Sequence, residues 1–431
     1  MRKNKIDIVS LGCSKNLVDS EHLMRQFQAA GYRVAHNPSR IDGETVVVNT
    51  CGFIADAQQE SIDTILRLGE AKRQGKIRNL IVMGCLSERF RADLMEALPE
   101  VDRLYGKFDW RNMLADLGHA YRDDLARERF LTTPNHYCYL KISEGCNRFC
   151  AFCAIPLITG RHTSVPMEDL LDEVRHLTAQ GVKEFNVIAQ DLSSYGMDLE
   201  NRMMLPELID RMADIEGVEW IRLHYAYPTQ FPYDILPVMA RRDNVCSYLD
   251  IALQHINDKV FTNMRRHITR RETLDLLARL RREVPGIHIR TTLMVGFPGE
   301  GEDEFQELMD FTREARFERM GAFAYSEEEG TWAAGNLTDE VPEEVKQDRL
   351  QRLMALQEEI SHDIQQQKVG QTLRVIVDRE EEDYYIGRTQ WDSPEVDPEV
   401  LISKSKPLVI GDFAQVRITE ALPFELMATP L

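Results

Sequence analysis

The sequence predicts an α/β protein in three parts: a parallel-sheet amino-terminal domain over residues 4–123, a partial (βα)6 barrel over 132–363, and a small all-β barrel over 366–431. Three observations predict it. Short apolar runs alternate with amphipathic segments through the first part, a longer alternation of the same kind fills the second, and the last part breaks into short β-rich runs punctuated by Gly and Pro. At 431 residues the chain is also too long for a single core.

The elements follow in order. "IDIVSLGC", "TVVVNTC" and "NLIVMGC" are strand candidates, each followed by a polar or amphipathic segment, which is the pattern of a parallel sheet with crossover helices. The charged stretch "YRDDLARERFLTTPNHY" reads as a linker. Six more strand candidates follow: "YLKISEG", "EFNVIAQD", "WIRLHYAYP", "YLDIALQH", "HIRTTLMVGFP" and "MGAFAYS". Helical patterns such as "MEDLLDEVRHLTAQG", closed by Gly181, and "RETLDLLARLRREV" separate them, so a partial (βα) barrel is expected. A polar helix from about Pro342 to Gln367 leads to "TLRVIVDRE", "DYYIGRTQ", "VLISK" and "FAQVRITEAL", the strands of a small barrel.

Composition sets the surroundings. With 43% hydrophobic and 29% charged residues and no apolar run near membrane-spanning length, the chain reads as soluble, with no membrane partner. Its start passes directly into a strand without a signal-type apolar region, so the cytoplasm is expected. Thiols stay reduced there, and the eight cysteines are then metal ligands, catalytic groups or core residues before they are disulfides. The 52 Lys and Arg against 71 Asp and Glu, a net of −19, argue against direct nucleic-acid binding and suit a basic partner.

The stretch "SEGCNRFCAFC" holds Cys146, Cys150 and Cys153 in eight positions, and the next cysteine is Cys246. A zinc site closes with four ligands, and no second pair or nearby His completes one here. An iron–sulfur cluster fits better: three thiolates can each take a different iron and leave the fourth open to a small molecule. Cys13, Cys51 and Cys85 form a quieter pattern. Each closes one of the first three strand candidates beside a glycine ("LGC", "CGF", "MGC"), and the carboxyl ends of parallel strands share one edge. One such cysteine is ordinarily a small buried hydrophobe; three at equivalent places suggest a second three-thiolate cluster site. Cys138 and Cys246 lie in apolar strands without partners and read as core residues.

The spacing C-x3-C-x2-C directly after a barrel-opening strand resembles the radical S-adenosylmethionine (SAM) superfamily, in which the open iron chelates SAM and the cluster's electron cleaves it to a 5′-deoxyadenosyl radical. That resemblance would put Phe152 beside the adenine, with Gln190, Gly296, Pro298 and Gly299 as candidate SAM-pocket residues at the barrel mouth. With the three strand-end cysteines and the terminal barrel, the whole chain resembles the methylthiotransferase family, whose small carboxyl-terminal barrel is called TRAM. The resemblance implies two 4Fe–4S clusters, one on Cys13, Cys51 and Cys85 and one on Cys146, Cys150 and Cys153, with SAM as methyl donor at the first and radical source at the second. It also implies an external electron donor and a sulfur source.

Family branches modify either adenosines beside the tRNA anticodon or an aspartate of the small-subunit ribosomal protein twelve. "SLGCSKNLVDSE" resembles the ribosomal branch's "SLGC-x-KN-x-VDSE" rather than the "GCQMN" of the tRNA branch, and "GRTQWDSPEVD" resembles its "GR…D-x-PEVD" element. Charge agrees: from Gln366 onward seven Lys and Arg face twelve Asp and Glu, a net of −5, which opposes tracking of phosphates and suits a basic ribosomal protein substrate. Asp392, Glu395, Asp397 and Glu399 read either as a solvated acidic loop or as its docking surface. The competing readings are a tRNA methylthiotransferase and a non-enzymatic iron–sulfur scaffold.

Overall fold

The computed structural model describes residues 2–431. The first body is a five-stranded parallel sheet built from β1 (Arg2–Ser10), β2 (Arg33–His36), β3 (Gly43–Thr50), β4 (Asn79–Gly84) and β5 (Arg103–Leu104), in the order β2-β1-β3-β4-β5. The three strands that carry cysteines are therefore adjacent. Val46, Val47 and Val48 of β3 are all fully buried, as a central strand covered on both faces requires. β2 and β5, short and peripheral, give no apolar alternation and escaped the sequence reading.

The second body is a six-stranded parallel sheet in the order β13-β12-β11-β10-β9-β6, formed by β6 (Tyr137–Lys141), β9 (Glu184–Ile188), β10 (Trp220–Ala226), β11 (Val245–Ile251), β12 (His288–Val295) and β13 (Arg319–Ala324). All six candidates are strands, and sequential order without closure makes this the partial barrel expected. Between β6 and β9, β7 (Ser143–Glu144) pairs with β8 (Thr163–Ser164) and pins the two ends of the three-cysteine loop together. The predicted polar helix spans Glu343–Gln366.

The third body is a closed barrel of β14 (Thr372–Glu380), β15 (Tyr384–Thr389), β16 (Glu399–Ser403), β17 (Phe413–Ala421) and β18 (Glu425–Pro430). β18 was not foreseen: Pro423 and Pro430 obscure it, and its pairing with both β16 and β17 is what closes the barrel.

The stretch read as a linker is exposed over Arg122–Asp124 and at Arg127 but packed around Arg129 and Thr132. The Arg129 guanidinium is fully buried, donates to the Tyr139 carbonyl at 2.7 Å and lies 3.2 Å from Glu173, while Glu21 accepts from the Thr132 backbone and hydroxyl at 2.7 and 2.8 Å. A charged side chain such as Arg129 becomes interior when neighbouring elements supply its counter-charges.

The acidic loop of the last barrel also departs from expectation. Asp392 is buried and ion-paired with Arg319 of β13, and Asp397 accepts from Arg290 of β12 at 2.6 Å and from the Tyr248 hydroxyl of β11 at 2.8 Å. Glu399 takes two bonds from Arg379, and only Glu395 is exposed. Asp392 and Asp397 therefore fasten the small barrel to the large one and form no free acidic docking face. A charge count cannot see that Asp392 and Asp397 have partners on the large barrel, 73 to 149 positions away. Among the described residues no helix is long and apolar enough to cross a membrane.

Candidate active site

Register brings the first cysteine trio together. Thr50 pairs with Gly84 at the ends of β3 and β4, so Cys51 and Cys85 leave the sheet side by side, and Cys13 follows β1 on the other flank of β3. The glycines beside them permit the approach. A Cβ on Gly12 would lie 2.7 Å from Cβ and 2.8 Å from Sγ of Cys51, and one on Gly52 would lie 2.6 Å from Cα of Leu86. Buttressing is dense: Asn16 donates to the carbonyls of Leu11 and Thr50 at 3.1 and 2.8 Å, the Ser61 hydroxyl binds both backbone groups of Cys51, and the Cys85 thiol faces Asn16 Oδ1 at 3.6 Å. "SKNLVDSE" thus acts as a scaffold as much as a motif. Cys13 is exposed, whereas Cys51 and Cys85 are buried.

The second trio lies on a loop after β6. Its turn needs two residues in the left-handed region, Gly145 at φ 73° and, unusually for an aromatic, Phe149 at φ 48°. The backbone N–H of Arg148 reaches Cys146 Sγ at 3.5 Å, and Cys150 Sγ receives Arg266 Nη1 at 3.3 Å and faces the Tyr227 hydroxyl at 3.5 Å. Arg148 is clamped by Asp191 at 2.7 Å and stacks on Tyr227. Arg266 and Tyr227 were not singled out from sequence, since neither belongs to a local motif.

Burial, aided by nearby thiols, pushes Cys85 up to about 12; burial pushes Cys146 up to about 12 and raises Cys153 further. Thiols in such surroundings keep their protons until a metal displaces them. Among the described residues no group of three or more His, Cys, Asp or Glu converges tightly enough to hold one metal ion. The thiolates of a cluster bind different irons and need not meet at one point. Two sets of three soft donors fit two clusters in number and kind.

The two trios adjoin. Cys85 packs with Ala154 and Ile158, one and five residues after Cys153, so the first sheet's edge rests on the segment that leaves the second trio's loop. Below that contact, Asp19, Lys107, Lys141 and Glu144 form a buried four-charge network, joined by Gln190 Nε2 at 3.0 Å from Glu144. Burial opposes the Lys107 ammonium, but Asp19 and Glu144 outweigh it and raise its pKa; burial likewise opposes Glu144, which Lys141 and Lys107 hold at about 2. Arg89 adds a bond to Glu328 at 3.0 Å across the same interface.

The other candidate residues divide. Phe152 contacts Phe297 edge to face at 6.2 Å on the inner side of the loop. Gly296 and Gly299 have φ of 73° and 91°, and a Cβ there would meet Lys346 at 2.3 Å and Asn263 at 2.5 Å; Pro298 accepts from Asn263 at 3.0 Å. Protein neighbours therefore account for both glycines as a tight turn. Cys138 and Cys246 are fully buried core residues, as read from sequence.

Known proteins agree with this layout. Residues 5–106 match the Uncharacterized protein family UPF0004, residues 140–312 the Radical SAM superfamily and residues 369–431 the TRAM domain. The ribosomal protein uS12 methylthiotransferase RimO of Parabacteroides distasonis is 65% identical over 426 residues, 99% of each chain. The chain belongs to the RimO family. RimO proteins of Phocaeicola vulgatus and Bacteroides thetaiotaomicron are each 59% identical, covering 100% of both chains in the first case and 99% of this chain and 98% of the relative in the second. Among solved structures, the radical SAM methyltransferase TsrM of Kitasatospora setae aligns with a TM-score of 0.53 over 75% of each chain at 13% identity. The cobalamin-dependent SAM radical enzyme OxsB gives 0.51 over 82% of this chain and 56% of its own, also at 13%. At that identity the likeness speaks for the fold alone. RimO family membership accounts for all three bodies of the fold.

Proposed function

We propose that this chain methylthiolates the β-carbon of an aspartate in ribosomal protein uS12, using SAM and two 4Fe–4S clusters, one held by Cys146, Cys150 and Cys153 and one by Cys13, Cys51 and Cys85. The observation that supports the reading is the packing of Cys85 against Ala154 and Ile158, which brings one strand end of the first trio against the segment that follows the second trio's loop. When bound, the clusters and SAM supply a methyl group, a sulfur and a hydrogen-abstracting radical. The chain's own part is placement. Arg266, Tyr227 and the Arg148 backbone donate toward thiolate sulfurs, the Asp19, Lys107, Lys141 and Glu144 network locks the two bodies at fixed separation, and Phe152 with Gln190 lines the side on which SAM would lie. The turn Gly296–Gly299 adjoins Phe152 through Phe297 and is proposed to border the same pocket. Burial of the intervening contact keeps water from a reactive intermediate.

An electron donor and a sulfur source are required from outside. The substrate is a basic ribosomal protein, for which the terminal barrel's net charge of −5 is complementary. The test is anaerobic reconstitution with SAM, reductant and sulfide, offering uS12 and unmodified tRNA in competition. Mass spectrometry should place the methylthio group on an aspartate; modified tRNA with untouched protein would overturn the assignment.

A further inference from the structure

Among the described residues four lysines are buried: Lys15, Lys107, Lys346 and Lys368. Three have oxygen partners, Lys107 in Glu144 at 3.2 Å, Lys346 in the Tyr325 carbonyl at 3.2 Å and Lys368 in Gln365 at 2.8 Å. Lys15 is different. It is 9% exposed, and its ammonium meets only the face of Tyr225, 3.3 Å from the ring centroid. The Lys15 nitrogen is not fully enclosed, and no protein oxygen neutralises it; one cation–π contact holds it over the ring.

Lys15 is two residues beyond Cys13, and Tyr225 is near the carboxyl end of β10, two residues before the Tyr227 that faces Cys150. The Lys15–Tyr225 contact therefore joins the segment that follows Cys13 to the strand end that precedes Tyr227. Tyr225 itself is held at φ 64°, in the left-handed region that an aromatic rarely adopts, with its ring partly exposed. Strain of this kind persists where surrounding structure imposes it, and such residues gather at binding sites. Asp250 feels the Lys15 charge without forming an ion pair with it, and Arg290, which also acts on Asp250, is taken by Asp397 at 2.6 Å.

We propose that Lys15 receives the side-chain carboxylate of the substrate aspartate, and that Tyr225 holds the ammonium in place until it arrives. The proposal rests on the methylthiotransferase reading above and names the group that recognises its substrate. A carboxylate held there fixes the adjoining β-carbon between the two trios, where hydrogen removal and sulfur delivery must both reach it. It also gives a reason for selecting aspartate over asparagine, since a neutral amide would leave the ammonium unpaired.

The experiment uses the reconstituted holoenzyme and two fluorescent peptides that differ only in Asp or Asn at the target position, with affinity read by anisotropy. The parent should prefer the Asp peptide by roughly ten- to a hundred-fold, the range for a hydrogen bond to a charged group. Lys15→Met should bind both peptides alike, whereas Lys15→Arg should keep part of the preference. Iron content and cluster absorbance verify that each variant is assembled. Should Lys15→Met fail to assemble, Tyr225→Leu, which removes only the ring, should still shrink the preference. Retention of the parent's preference by Lys15→Met, or by Tyr225→Leu in that case, overturns the proposal. If the parent forms no methylthio product on uS12, the functional reading fails instead, so the two failures are distinct.

Discussion

Replacing Arg388 with Met should loosen the terminal barrel from the base of the large one. Arg388 is 2% exposed and donates to Asp378 at 2.6 and 2.9 Å, to Glu184 at 3.0 and 2.7 Å, and to the Asp392 carbonyl at 3.2 Å. Met keeps the stem's volume and removes every donor. Breaking a buried pair by deleting one partner costs about 3–5 kcal/mol, because the carboxylate left behind stays desolvated. Here Arg222 still reaches Glu184 at 3.1 Å and His136 still reaches Asp378 at 2.8 Å, so the low end, about 3 kcal/mol, applies. A chain of three bodies does not melt as one unit, so the assay is hydrogen exchange rather than a single melting temperature. Amides of β14, β15 and the start of β9 should exchange roughly a hundred-fold faster, at about 1.4 kcal/mol per decade. Arg388→Met combined with Asp378→Asn should recover part of the loss by removing the stranded charge. Arginine partners, outweighing burial, depress both Glu184 and Asp378 below the ordinary carboxylate range. Their contribution is therefore complete above about pH 4.5 and fades as pH falls through the depressed values. Parent-rate exchange in those strands, or full additivity of the two substitutions, would refute the argument.

Other outcomes follow from the same geometry. Burial raises Asp250 to about 6, with Arg290 opposing and Asp397 adding, so this carboxylate costs stability as pH rises from its unfolded value near 3.8 to about 6. Asp250→Asn should thus stabilise the protein above pH 6 by up to about 3 kcal/mol and have no such effect below pH 3.8; a stabilisation independent of pH would contradict the cause given. Replacing Cys146, Cys150 and Cys153 together by Ala should remove about half of roughly eight irons and end 5′-deoxyadenosine release, and continued release would dismiss them as ligands. Cys51→Ala should instead eliminate methylthio product while SAM is still cleaved, and persistence of product would mean that the strand-end cysteines are only packed. Gly52→Ala would drive a Cβ to 2.6 Å from the Leu86 backbone and should lower iron content without altering any ligand; parent-level iron would show that this edge has slack.

The cysteines were legible because their chemistry depends on local spacing and on strand ends, both written in the sequence. Cys13, Cys51 and Cys85 could be joined from a pattern alone since a parallel sheet sends all its strand ends to one edge. Gly12 and Gly52 carried a further signal, a place where no side chain fits, that only the sheet's register explains. The interfaces were illegible for the converse reason. Arg129, Arg290, Arg319 and Arg388 resemble surface residues in any local window, and their partners lie on other elements. The acidic loop shows how far this misleads: Asp392 and Asp397 counted as surface charge, yet they neutralise arginines at the amino-terminal half of the barrel. The proposed complementarity to a ribosomal protein then falls to other carboxylates, such as the exposed run from Glu380 to Asp383 at the β14–β15 turn. Lys15 illustrates the same principle with opposite sign. In the sequence it is one more basic residue in a motif; in the fold it is, among the described residues, the one buried lysine that meets an aromatic face and no protein oxygen, which is the ground for proposing a carboxylate there.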